Sequence, residues 1–153
     1  MQREKITIKE INEENWYECC ELKISETQQK YLEPNSISIL HAKFEHSLKP
    51  YAIYLEEKVV GFLMFTSILE ELDGYWIYRL MVDEQYQGMG IAKKATQLMM
   101  SEIENLRNAK KIVVGYHPEN IAAYNLYNSL GFVDYGNRFG KEMAVVKILN
   151  AIN

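Results

Sequence analysis

Gln87-Gly88-Met89-Gly90-Ile91-Ala92 stands between a strand-like run, Tyr75 to Val82, and a stretch whose apolar residues Ile91, Ala95, Leu98, Met99, Ile103 and Leu106 recur at helical spacing. Glycines at a strand-to-helix turn let the backbone approach a ligand closely, and the first N–H groups of a helix have no partner within it. Aided by the helix dipole, those donors favour an anion, so a phosphate or pyrophosphate suits the place. Gln87 offers a further side-chain donor, and Lys93 or Lys94 a charge for a more remote phosphate. Two phosphate-binding templates fail on spacing. The loop Gly-x-x-x-x-Gly-Lys-Ser/Thr is absent, and the fingerprint Gly-x-Gly-x-x-Gly would need glycine where Lys93 stands. A turn whose glycines serve geometry alone remains open at this point.

Outward from the turn, the chain alternates short strands and helices. Ile6 to Ile11 has a period of two and reads as a half-buried strand, and Asn12 to Asn15 can cap a helix reaching about Lys23. Tyr31-Leu32-Glu33-Pro34-Asn35 breaks the pattern, and Ser36 or Ser38 can cap a second helix to about Ser47. Tyr51 to Leu55 and Val59 to Ile68 form a hairpin, then an acidic loop, Glu70-Glu71-Leu72-Asp73-Gly74, leads to Tyr75. Beyond the Ile91 to Leu106 helix, Lys111 to Tyr116 is a strand and Pro118 opens a helix, Glu119 to Leu130, that Gly131 terminates. Phe132 to Tyr135 and Glu142 to Ile148 close the chain as strands. With no repeat, linker or low-complexity segment, this order predicts one α+β domain over residues 1–153, built on a mixed, mainly antiparallel sheet flanked by helices.

Bulk properties narrow the partners. A formal net charge of -4 disfavours a polyanion, because nucleic-acid binding draws on clustered Lys and Arg; a cationic guest is the more natural one. The apolar run Val59-Val60-Gly61-Phe62-Leu63-Met64-Phe65 is far shorter than the ~20 residues of a membrane span, so no membrane partner is expected. Met1-Gln2-Arg3-Glu4-Lys5 lacks the apolar core of a leader. Cys19 and Cys20 are adjacent and cannot clip distant segments together; with the N-terminus they point to a cytoplasmic protein. A covalent role for either thiol finds no histidine nearby in sequence to support it, and no metal is expected.

Gln87-x-x-Gly90-x-Ala92 after a strand, with Asn120-Ile121-Ala122-Ala123-Tyr124-Asn125-Leu126-Tyr127-Asn128-Ser129-Leu130-Gly131-Phe132 further on, resembles the Gcn5-related N-acetyltransferase (GNAT) superfamily. The order of elements extends that likeness over nearly the whole chain. The resemblance implies acetyl-coenzyme A as donor, with the amides from Gly88 through Met89, Gly90, Ile91 and Ala92 to Lys93 on its pyrophosphate. It also implies that the end of the Tyr75 to Val82 strand splays from the Lys111 to Tyr116 strand and admits the pantetheine arm. Leu80, Met81 and Val82 would flank the arm on one side, and Asn120, Ala123, Tyr124 and Tyr127 on the other. Dimers are frequent in the superfamily, so a homodimer is among the implied partners.

Acetyl transfer to an amine needs a neutral nucleophile, a donor to the thioester oxygen and a proton for the departing thiolate. A bulge near Leu80, Met81 and Val82 would aim a backbone N–H at the oxygen. Tyr127 matches the superfamily's proton-donating tyrosine; Tyr124, three residues earlier, lies on nearly the same helix face, and the motif register selects Tyr127. Asn120 matches a residue that bonds the pantetheine amide, and helix capping is its other reading. An amine with a pKa near ~10.4 needs a proton acceptor, for which Glu33, Glu71, Asp73 and His117 are candidates. The break at Glu33-Pro34, the hairpin and the acidic loop before Tyr75-Trp76 look most like the spermine and spermidine (diamine) acetyltransferases. That likeness places Glu33, Glu71 and Asp73 at an acidic mouth and Tyr31, Trp76 and Tyr78 around a polycation. A protein N-terminus, a lysine or an aminoglycoside as acceptor, and a noncatalytic acyl-coenzyme A sensor, stay open as alternatives.

Overall fold

The computed structural model describes residues 4–149; Met1–Arg3, which begin the segment read above as lacking a leader, lie outside them. Seven strands form one sheet in the order β1-β2-β3-β4-β5-β7-β6, with β1 Ile6–Glu10, β2 Leu48–Leu55, β3 Lys58–Thr66, β4 Tyr75–Val82, β5 Lys111–Tyr116, β6 Val133–Phe139 and β7 Glu142–Ile148. All neighbours run antiparallel except β4 and β5, which are parallel, so the sheet is mixed and mainly antiparallel, in an α+β chain.

Helices α4, Ile91–Glu104, and α5, Ile121–Ser129, contribute to one core, where Ile53, Leu63, Phe65 and Ile77 of the sheet meet Met99, Ile103 and Tyr127. On the other face Cys19 of α1, Trp16–Glu21, meets Ala52, Phe62, Met64 and Met81, with Ile39 of α3, Asn35–Phe44, packed against them. Covering on both faces explains why β3 reads as a continuous apolar run rather than an alternation. Its side chains Phe62, Leu63, Met64 and Phe65 are all buried, each contributing about 1.5–3 kcal/mol of transfer free energy. Gly61 is required in that strand, since a methyl group there would lie 2.6 Å from the Met81 carbonyl oxygen.

The first third differs from expectation. α1 ends at Glu21, and a further single turn, α2 (Glu26–Gln29), follows it. Pro34 rather than Ser36 or Ser38 holds the N-cap position of α3, and the Ser38 hydroxyl is buried without a hydrogen-bond partner. Proline suits that end because its φ is preset and it has no N–H to leave unpaired.

Two irregularities shape the centre of the sheet. β4 pairs with β5 only over Tyr75–Ile77 and Ile112–Val114, so the ladder stops there and the strands part beyond it. On the other edge of β4, Phe65 pairs with Ile77 while Met64 pairs with Arg79, so Tyr78 is an extra, bulged residue. The bulge was expected near Leu80–Val82; it lies earlier, next to the point where pairing with β5 ends.

Candidate active site

Beyond Ile77 and Val114 the parted strands open a cleft of about 590 Å³ roofed by α4 and α5. Leu80, Met81 and Val82 line one wall, Asn120, Ala123 and Tyr127 the other, and Gln87, Gly88, Gly90, Ile91, Ala92 and Lys93 the end. Gly88 and Gly90 have φ of +81° and +78°, a conformation that other residues adopt only with strain, and no atom stands within 4 Å of where their Cβ would be. Chain geometry, not crowding, therefore requires glycine, and the space in front of the turn stays open. Lys94 N–H bonds the Gly90 carbonyl at 3.2 Å, and no side chain caps the helix. Three donors, the N–H groups of Ile91, Ala92 and Lys93, precede that first bond and are available to an anion.

Gln87 lines the cleft, but its amide nitrogen donates to the Val82 carbonyl and to Gln28 Oε1, both at 3.0 Å. It fastens the loop to the end of β4 instead of offering a spare donor. Met89 is 55% exposed and its side chain lines neither cleft described here; only its main chain belongs to the turn. Asn120 caps α5, its Oδ1 accepting from Ala123 N–H at 3.2 Å, and faces the cleft as well. Tyr124 is 47% exposed and is not brought to the cleft.

A second cleft, of about 390 Å³, shares Leu32, Leu80, Asn120, Ala123 and Tyr127 with the first, so the two meet at Tyr127. That tyrosine is 4% exposed, stacked on Tyr116 with ring centroids 5.9 Å apart and edge-on to Phe132 at 5.3 Å. Burial, reinforced by Tyr116, holds its phenol above the ordinary value and keeps its proton in place. Tyr31, Glu33 and Tyr78 line the second cleft, as does His117, stacked on Tyr31 at 5.5 Å. Glu33 is ion-paired with Arg79. Burial and a 2.5 Å hydrogen bond to Glu70 raise the Tyr78 phenol. His117 Nδ1 accepts from Glu119 N–H at 3.2 Å, so the neutral ring carries its hydrogen on Nε2.

Glu71 and Asp73 are not brought into this cleft, and Trp76 does not line it, although its ring stands beside Gly115, which does. They precede or open β4, where β4 and β5 are still paired, whereas the cleft begins where that pairing ends. Asp73 borders a separate depression beside Lys111 and Ile148, and the Glu71 carbonyl accepts from Trp76 Nε1 at 2.9 Å. Sequence reasoning missed Arg79, Tyr116 and Glu142, all of which line the second cleft. Arg79 was visible as a lone charge inside an apolar strand; Glu142 gave no signal, because its place depends on how β7 pairs.

Cys19 is buried, its Sγ 3.9 Å from the Gly61 carbonyl oxygen, and burial pushes its thiol up to about 12. A thiol so placed is inert. Among the described residues no helix is long and apolar enough to cross a membrane.

The acetyltransferase (GNAT) family matches residues 10–132. A spermine/spermidine N(1)-acetyltransferase of Bacillus subtilis (strain 168) is 32% identical over 151 residues, covering 94% of this chain and 99% of its own. Among solved structures, an aminoglycoside acetyltransferase in complex with coenzyme A superposes with a TM-score of 0.77 at 16% identity, covering 94% of this chain and 95% of its own. A Vibrio cholerae spermidine N-acetyltransferase in complex with coenzyme A and spermine gives 0.71 at 17% identity with the same two coverages. At those identities the structures speak for the fold.

Proposed function

Since the chain belongs to the acetyltransferase (GNAT) family and is an acetyl-coenzyme A-dependent N-acetyltransferase, we propose that its acceptor is a polyamine of the spermidine, spermine or diamine kind, attacking directly while both substrates are bound. The observation that carries this reading is the meeting of two clefts at Tyr127. One cleft has the amide-rich helix start that suits a pyrophosphate, and the other has tyrosines that suit a chain of methylenes and a carboxylate, Glu142, that is in none of the ion pairs among the described residues and suits an ammonium group. The Bacillus relative named for spermine and spermidine, alike over nearly its whole length, supports the acceptor class.

Acetyl-coenzyme A supplies the thioester whose carbonyl carbon the amine attacks. The Ile91, Ala92 and Lys93 amides hold its pyrophosphate, while Leu80, Met81 and Val82 offer main-chain groups that β5 leaves unpaired. An N–H in that stretch, aimed by the bulge at Tyr78, serves the oxygen on which negative charge gathers. Water in the cleft takes the proton the ammonium sheds before attack, Tyr127 gives its proton to the sulfur that departs, and the second proton lost by the nitrogen restores the phenol. The cytoplasm, where the thiols of Cys19 and Cys20 stay reduced, is the compartment this reading implies. The homodimer that the superfamily implies is part of this reading; a light-scattering mass of twice the monomer would support it, and the monomer mass would overturn it.

Thiol release from acetyl-coenzyme A in the presence of spermidine, spermine or putrescine tests the acceptor. Release well above the amine-free rate supports the proposal; background release with all three overturns it.

A further inference from the structure

We propose that Glu142 anchors the distal ammonium of the acceptor, in a subsite formed by its carboxylate, the Trp76 indole and the bare backbone of Gly115; this rests on the polyamine reading above. Glu142 opens β7 beside the splayed end of β5 and lines the second cleft together with Tyr127. By strand alternation it shares a face with Ala144 and Val146, which pack with Trp76 on the side of the sheet away from Tyr127. The gap between β4 and β5 therefore links the two sides. A linear amine with its reacting nitrogen at Tyr127 extends its other charge through that gap.

Glu142 is suited to receive this charge because the cleft's other carboxylate is already engaged. Glu33 is bound by Arg79, and Lys30 stands on the same wall, so that side offers a cation no net attraction. None of the ion pairs among the described residues involves Glu142. Gly115 keeps the strand bare between Trp76 and Glu142. A methyl group added there would lie 3.6 Å from the Trp76 ring and 3.9 Å from the Glu142 carboxylate, so the two side chains flank one bare patch of strand. Trp76 is fixed as a wall by its 2.9 Å hydrogen bond to the Glu71 carbonyl and by Phe139 packed edge-on at 5.3 Å. A carboxylate beside an aromatic face is the pairing that an alkylammonium group requires.

The test compares a diamine such as putrescine with an alkyl monoamine of equal length, in wild type, Glu142→Gln and Gly115→Ala. Glutamine keeps the shape and removes the charge, while the alanine methyl fits at ordinary contact distances and fills the floor. The ratio of kcat/KM for diamine over monoamine is expected to fall about five- to tenfold in each variant, through KM for the amine. The fall should also shrink at high salt, which loss of packing alone would not produce. Wild-type turnover of diamines with this ratio unmoved in both variants overturns the subsite alone. Wild-type failure to acetylate any polyamine overturns the reading it rests on, and the subsite with it.

Discussion

Tyr127 is packed between Tyr116 and Phe132 and lines both clefts, so packing fixes the ring, and in the proposed reaction its phenol proton is the working part. Tyr127→Phe keeps the packing and removes the proton, and kcat is expected to fall about 100-fold with KM for acetyl-coenzyme A little changed; steady-state kinetics checks this. The direction of the Tyr127 shift sets the pH behaviour. Its neutral, donating form is favoured, so donation is retained through the ordinary phenol value near ~10 and is lost only above it. A kcat profile should therefore show no falling alkaline limb below about pH 10, and a limb near neutrality that disappears in Tyr127→Phe would contradict the assignment. That Tyr127 rather than Tyr124 faces the clefts was legible in the sequence through the motif register. Tyr124 was not distinguishable by spacing, although three residues turn a helix by ~300° and the remaining ~60° is enough to carry its ring into solvent.

The glycine turn and α4 act as a single device, a strand end fastened by Gln87 and a helix start left uncapped. Gly90→Glu puts a negative charge where a pyrophosphate is to sit, in space that is open. The left-handed φ adds roughly 1 kcal/mol of strain, so the fold should survive while coenzyme A affinity drops about tenfold or more; calorimetry for affinity and a thermal melt for stability separate the two. Elements with strong periodicity were readable. β4, β5 and β7 have the bounds their apolar patterns predicted, and α4 stops two residues before Leu106. The single turn Glu26–Gln29 was not, since one turn is too short to show a period. Acids of the loop before β4 were assigned to the mouth by their charge, but charge does not say which end of a strand a loop caps. The pairing of Tyr75–Ile77 with β5 puts Glu71 and Asp73 at the closed end.

At the scale of the whole molecule, sequence order conveyed the α+β class and the mainly antiparallel character, but not the strand order. That β7 inserts between β5 and β6, and so delivers Glu142 to the cleft, is a long-range pairing with no local signature. The sheet's two halves join through three paired positions. A ligand that touches β4, α4 and α5 at once should brace them, and acetyl-coenzyme A at about 100 times its Kd stabilises the native state by roughly 2.7 kcal/mol, a rise in Tm of roughly 5–10 °C. Differential scanning fluorimetry reads this, and no rise at saturation would argue against a site spanning the gap. The short join has a further consequence for how such a protein can evolve. Substitutions that let β4 and β5 zip along their full length would supply the missing ladder bonds and yield a sturdier molecule, yet one with no entrance for its donor. Selection for robustness alone would thus abolish the enzyme, and the unzipped seam is kept against that pull by the work it does.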